Sequence, residues 1–113
     1  MEIGNRGLIE ARIIIPKGTS LAFEVVHKDD TGNVVDHTGD EVKLVFVNGE
    51  TRVDLSQYCT GSDENITVSI PASASTAFTC NSYDYDMIVI ASETTRLMYG
   101  TVSVPKTYSL GGE

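Results

Sequence analysis

Glu41-Val42-Lys43-Leu44-Val45-Phe46-Val47-Asn48-Gly49-Glu50-Thr51-Arg52-Val53-Asp54-Leu55 is the stretch that decides the fold class. Val42, Leu44 and Phe46 fall on every second position. Successive side chains of an extended chain point to opposite faces, so this spacing gathers three apolar groups on one side of a strand. Asn48-Gly49 sits between two extended runs and is the strongest short-range hairpin signal available. A two-residue type I′ turn needs positive φ at both central positions, and Asn and Gly tolerate it. Residues 41–47 and 50–55 are therefore predicted to be the arms of a hairpin that turns at Asn48 and Gly49.

The same period continues on either side, and no stretch of a dozen residues holds a 3.6-residue repeat. Upstream, residues 8–15 read as a strand rich in β-branched Ile13, Ile14 and Ile15, stopped by Pro16-Lys17-Gly18. Residues 21–28 place Leu21, Phe23, Val25 and His27 on one face, the one predicted to point inward. Asp29-Asp30-Thr31-Gly32-Asn33 is turn chemistry, and Val34-Val35 starts a short extended piece. Downstream, residues 58–64 read as a loop and residues 65–70 as a strand through Ile66, Val68 and Ile70. Pro71 and the alanines after it suit one short helical turn near residues 71–78. Residues 83–91 read as a strand whose two faces are both largely apolar beyond Met87, which places it mid-sheet, and after a turn at residues 93–96 its partner runs over 97–104. The pattern is all-β, an antiparallel β-sandwich of the Ig-like kind with about seven or eight strands. One domain spans residues 1–113, with a flexible tail or linker from about residue 106.

Hydrophobic residues make up 41% of the chain and charged residues 21%, which is enough apolar material for a core and rules out the composition of disorder. A formal net charge of −8 repels phosphate backbones and anionic headgroups, so neither nucleic acid nor a membrane surface is expected as a partner. No basic segment followed by an apolar run opens the chain, so no signal peptide is expected. Cys59 and Cys80 are then expected to be reduced thiols.

The chemistry-bearing residues are sparse. No nucleophile elbow, P-loop or zinc-binding motif is present, and His27 and His37 fall into no ligand pattern. Neither a catalytic residue, a cofactor nor a metal site is predicted. Asp84 and Asp86 lie two apart on one strand face, where paired carboxylates could do acid–base work or bind a cation, but a solvent-facing strand edge is the favoured reading. Asp29, Asp30, Asn33 and Asp36 gather oxygens around a Gly without the frame of a calcium loop, and read as a turn. Tyr83, entering a late strand, is the candidate for a tyrosine corner, whose hydroxyl bonds back to the preceding backbone. An alternative use of Tyr58, Tyr83, Tyr85, Tyr99 and Tyr108 is an exposed aromatic face, as an Ig-like carbohydrate-binding or cell-surface adhesion module requires.

The order of Ile66-x-Val68-x-Ile70-Pro71, a small-residue turn ending in Thr76-Ala77-Phe78, Tyr83-x-Tyr85-Asp86-Met87-x-Val89 and Leu97-x-x-Gly100-x-Val102-x-Val104 resembles the N-terminal domains of phage baseplate upper proteins and tail fibres. Ile14-x-Pro16-Lys17-Gly18-Thr19-Ser20-Leu21-x-Phe23 is similar to their opening strand, tight turn and second strand. The resemblance covers most of residues 10–105. It implies a non-enzymatic virion structural module that is assembled in the host bacterial cytoplasm. It also implies contacts with other virion or tail proteins, and symmetric homo-oligomers.

Overall fold

The computed structural model describes residues 2–4, 9–29 and 31–106, with side chains from Glu10 onward. Among the described residues, ten strands build two sheets: β1 (Glu2–Gly4), β2 (Ile9–Glu10), β3 (Ile13–Ile14), β4 (Leu21–Lys28), β5 (Glu41–Asn48), β6 (Thr51–Asp54), β7 (Cys59–Gly61), β8 (Ile66–Ile70), β9 (Ser82–Ile90) and β10 (Thr94–Ser103). One sheet has the order β1-β4-β8-β7, and the other β2-β10-β9-β5-β6 with β3 also on β10. The all-β sandwich read from the sequence is the fold found.

Alternation builds the core. The inward rows Val42-Leu44-Phe46, Ile66-Val68-Ile70 and Tyr83-Tyr85-Met87-Val89 are all buried, with Leu44, Phe46, Ile66, Val68 and Met87 fully enclosed. Each such aliphatic side chain contributes about 1.5–3 kcal/mol by leaving water. Phe46 is the hub, with ring centroids 5.8 Å from Phe78, 5.9 Å from Tyr83 and 6.1 Å from Tyr85. Phe78 is delivered by the short helix α1 (Ala72–Thr76). That helix is fixed by Ser75, whose fully buried hydroxyl donates to Thr19 O at 2.7 Å and accepts from Gly18 N at 3.0 Å.

Four differences from the sequence reading have physical causes. The hairpin turns one residue later than predicted: Asn48 pairs with Thr51, leaving Gly49 and Glu50 as the connection. Only Gly49 has positive φ, at 57°, the demand of a turn with Gly first and not of type I′. Asn48 stays extended because its Nδ2 donates to Ser82 O of the neighbouring strand at 2.9 Å.

Second, the pairing is not antiparallel throughout. The opening strand is broken in two, and both pieces lie parallel to β10, with Met98 opposite Ile9 and Val102 opposite Ile13. β1 is likewise parallel to β4. Parallel partners are distant in sequence, so no turn signal announces them. The break falls at Ala11, whose carbonyl accepts from Tyr85 Oη at 2.7 Å. Gly100 presses on that carbonyl, where a Cβ would collide with Ala11 O, and its φ of 153° suits glycine alone.

Third, the loop predicted over residues 58–64 contains β7, three residues too short to show a period. Fourth, β10 begins at Thr94, before the predicted turn ends, because a bulge between Arg96 and Met98 lets Leu97 and Met98 both point inward and breaks the alternation. Of the predicted tail from about residue 106, everything beyond Lys106 lies outside the described residues.

Candidate functional site

The outer face of the six-stranded sheet is a grid set by register. Lys43 stands beside Ile88, and Ile88 beside Arg96; Val45 lies between Asp54 and Asp86, and Asp86 beside Tyr99; Val47 lies between Arg52 and Asp84. All of these but Asp54 and Tyr99 line a shallow groove of about 400 Å³. Its floor is apolar, with Val45 only 8% exposed although it points away from the core. Its walls are charged. Arg96 Nε lies 3.5 Å from Asp86 Oδ2, and the same guanidinium sits 4.6 Å from the Tyr99 ring centroid. The ion pair is half-exposed and worth little by itself, but it helps to hold the guanidinium over the aromatic ring. An apolar floor inside a mixed-charge rim is the usual anatomy of a protein-binding patch. Asp84 and Asp86 share this face, as their spacing requires. Asp86 is engaged with Arg96, and they have no hydrogen bond to each other.

The second cluster was not legible in the sequence. His27 at the end of β4 and His37 in the loop above it are each 5% exposed and meet edge to edge, His27 Nδ1 to His37 Nε2 at 2.9 Å, with rings within 9° of coplanar. His37 Nδ1 lies 3.0 Å from Asp40 Oδ2. A carboxylate only accepts, so with both rings neutral the His37 proton is assigned to Nδ1 and His27 becomes the donor from its own Nδ1. That leaves His27 Nε2 buried with no partner. Burial, and then the adjacent His37, hold the pKa of His27 below its ordinary value, against a smaller opposite pull from Asp29.

The remaining candidates are structural in geometry. Tyr83 is 3% exposed and its Oη accepts from Thr79 N at 3.1 Å and Cys80 N at 3.0 Å, closing the backbone before β9. Tyr85 is 4% exposed and burial pushes its hydroxyl up to about 12. Neither ring is available to an external aromatic face. Asp29 Oδ1 accepts from Thr31 N, Thr31 Oγ1 and Asn33 N, and Asp36 Oδ1 accepts from Thr38 N, so these carboxylates are spent on their own turns. Asp30 lies outside the described residues. Among the described residues no three His, Cys, Asp or Glu side chains gather as metal ligands. No helix among them is long and apolar enough to cross a membrane. Cys59 and Cys80 are free thiols, and burial pushes that of Cys59 up to about 11.

The architecture just described has a solved counterpart. The chain is similar in fold to the N-terminal domain of phage TP901-1 ORF48. The match has a TM-score of 0.50 at 10% identity, and covers 93% of this chain and 95% of the ORF48 domain. The strand-and-turn order that resembles phage tail-tip domains thus has a three-dimensional parallel in a phage domain. At that identity what is shared with the ORF48 domain is the course of the backbone, and the groove and the histidine pair are described from this chain alone. No family model matches the sequence, and no curated protein matches it.

Proposed function

We propose that this chain is a non-enzymatic structural module of a phage virion, an attachment domain of baseplate or tail-fibre type that works through contacts with other virion proteins. The observation that carries the reading is the fold similarity to the N-terminal domain of phage TP901-1 ORF48 over 93% of this chain. The outer sheet face supports it, because Val45, Val47 and Ile88 offer an apolar floor while Arg52, Arg96 and Asp84 supply a charged rim that fixes register on a partner. The net charge of −8 disfavours nucleic acid and anionic lipid as that partner.

Mass spectrometry of phage particles purified through a density gradient tests the assignment. The protein should be present in a fixed ratio to other tail proteins, and its absence from intact particles would sink the reading. The face is tested by R96E combined with R52E, both on the solvated side of the sheet. This variant should keep the melting temperature of the parent and lose incorporation into particles. Undiminished incorporation would remove this face from the proposal.

A further inference from the structure

His27 ends the inward row that begins with Leu21, Phe23 and Val25, a position where an aliphatic side chain would cost nothing to bury. Residues 34–40 fold over it. Three links hold them down: Val35 N donates to His27 O at 2.8 Å, His37 N donates to Ser62 O at 2.9 Å, and the side chains run Asp40–His37–His27 as described. With both rings neutral, this chain holds two protons on its four ring nitrogens and leaves one nitrogen, His27 Nε2, unpaired. A third proton on His37 Nε2 sets two N–H groups against each other across 2.9 Å. Placed instead on His27 Nε2, it makes a buried cation whose new N–H has no acceptor. Moving the His27 proton from Nδ1 to Nε2, so that Nδ1 accepts from a charged His37, keeps that hydrogen bond but also leaves an N–H at the orphan position. Every way of adding a proton breaks a hydrogen bond or strands a donor.

We propose that residues 34–40 form an acid-released flap, latched at neutral pH by the Asp40–His37–His27 chain and opened when that chain takes up a proton. Among the residues whose side chains are described, the charged groups around the latch are few. Asp29 at the end of β4 favours the proton, Asp40 and Asp36 flank His37 on the flap itself, and β7 and the residue after it contribute only Gly61 and Ser62 on the His37 side. Gly61 has no side chain because His37 fills that space: a Cβ there would lie 2.5 Å from His37 O. Release of the flap therefore uncovers the backbone at the outer edge of the four-stranded sheet, since β7 is its last strand.

Amide hydrogen exchange by NMR on the intact chain, at about pH 7.5 and about pH 5 and corrected for intrinsic rates, tests this across the range where histidine titrates. Protection of the Val35, His37 and Asp40 amides should fall on acidification by clearly more than that of Leu44 and Phe46 of β5, because the open flap binds the extra proton more readily than the latched one. Equal changes in flap and β5 would overturn the proposal. His27→Gln removes the titrating ring, and if it folds its flap protection should no longer depend on pH; persistence of the dependence also overturns it. Should that variant fail to fold, long-range 1H–15N correlation on the parent decides. At neutral pH both rings should be protonated at Nδ1, and a proton found on His27 Nε2 would refute the latch.

Discussion

Phe46 shows what one side chain does in a sandwich of this size. Its ring touches Phe78, just past the short helix, and two strand tyrosines, so deleting it opens a cavity in the core that they share. Phe46→Ala should cost about 3–5 kcal/mol in urea unfolding at unchanged m-value. Tyr83→Phe is a smaller but more specific lesion. It keeps the ring and leaves the Thr79 and Cys80 amides without their acceptor, for a loss of about 1–3 kcal/mol. A loss near zero would mean that water replaces the hydroxyl. The Cys59 thiol, pushed up to about 11 from 9.0, holds roughly a hundredth of the usual thiolate at a given pH. Iodoacetamide should label it about a hundredfold more slowly in the folded protein than in denaturant, and equal rates would refute its burial.

Among the elements, the glycines separate two kinds of constraint. Gly49 has open space where a Cβ would go, so Gly49→Ala carries only the left-handed backbone cost of about 1–2 kcal/mol. Gly100→Ala must also displace the Ala11 carbonyl and with it the Tyr85 hydrogen bond, so it should destabilise by clearly more than Gly49→Ala in the same thermal assay. The contrast also marks where sequence reading works. β4, β5, β8 and β9 were legible because each buries one face of an alternating run. β7 is too short for a period, and the β10 bulge at Leu97 interrupts one. The parallel pairing of β2 and β3 is a long-range choice that local residues do not encode. Within the sites, Asp84 and Asp86 could be assigned to one face from their spacing alone, whereas His27 and His37 meet only because the residue-34–40 loop folds back over β4. Nothing local distinguishes them from two solvated histidines.

At the scale of the whole molecule, acid should weaken the fold in two windows. A folded-state pKa below the ordinary value means that the unfolded chain binds the extra proton more readily, so stability rises with pH across the interval between the two values. For His27 the contribution is complete above its ordinary 6.5 and is lost as pH falls from there through the lower folded value. For Asp29, Asp36 and Asp54, each held down first by a side-chain hydrogen bond within its own turn, it is complete above 3.8 and is lost below that. Urea midpoints measured from pH 8 to pH 3 should therefore show a shoulder below pH 6.5 before the acid limb. His27→Gln should flatten the shoulder and leave the limb, and a shoulder that survives would assign it to another group.

The parallel pairing of Ile13 with Val102 also sets an order of events during synthesis. The segment carrying Ile13 leaves the ribosome long before the strand it needs, and the β4–β8 and β5–β6 pairings can form in the meantime. The six-stranded sheet can complete its edge only when β10 has emerged. Until then the apolar Ile13 and Ile15 stay without their final neighbours, which makes the nascent chain, more than the finished domain, the form that needs protection from aggregation.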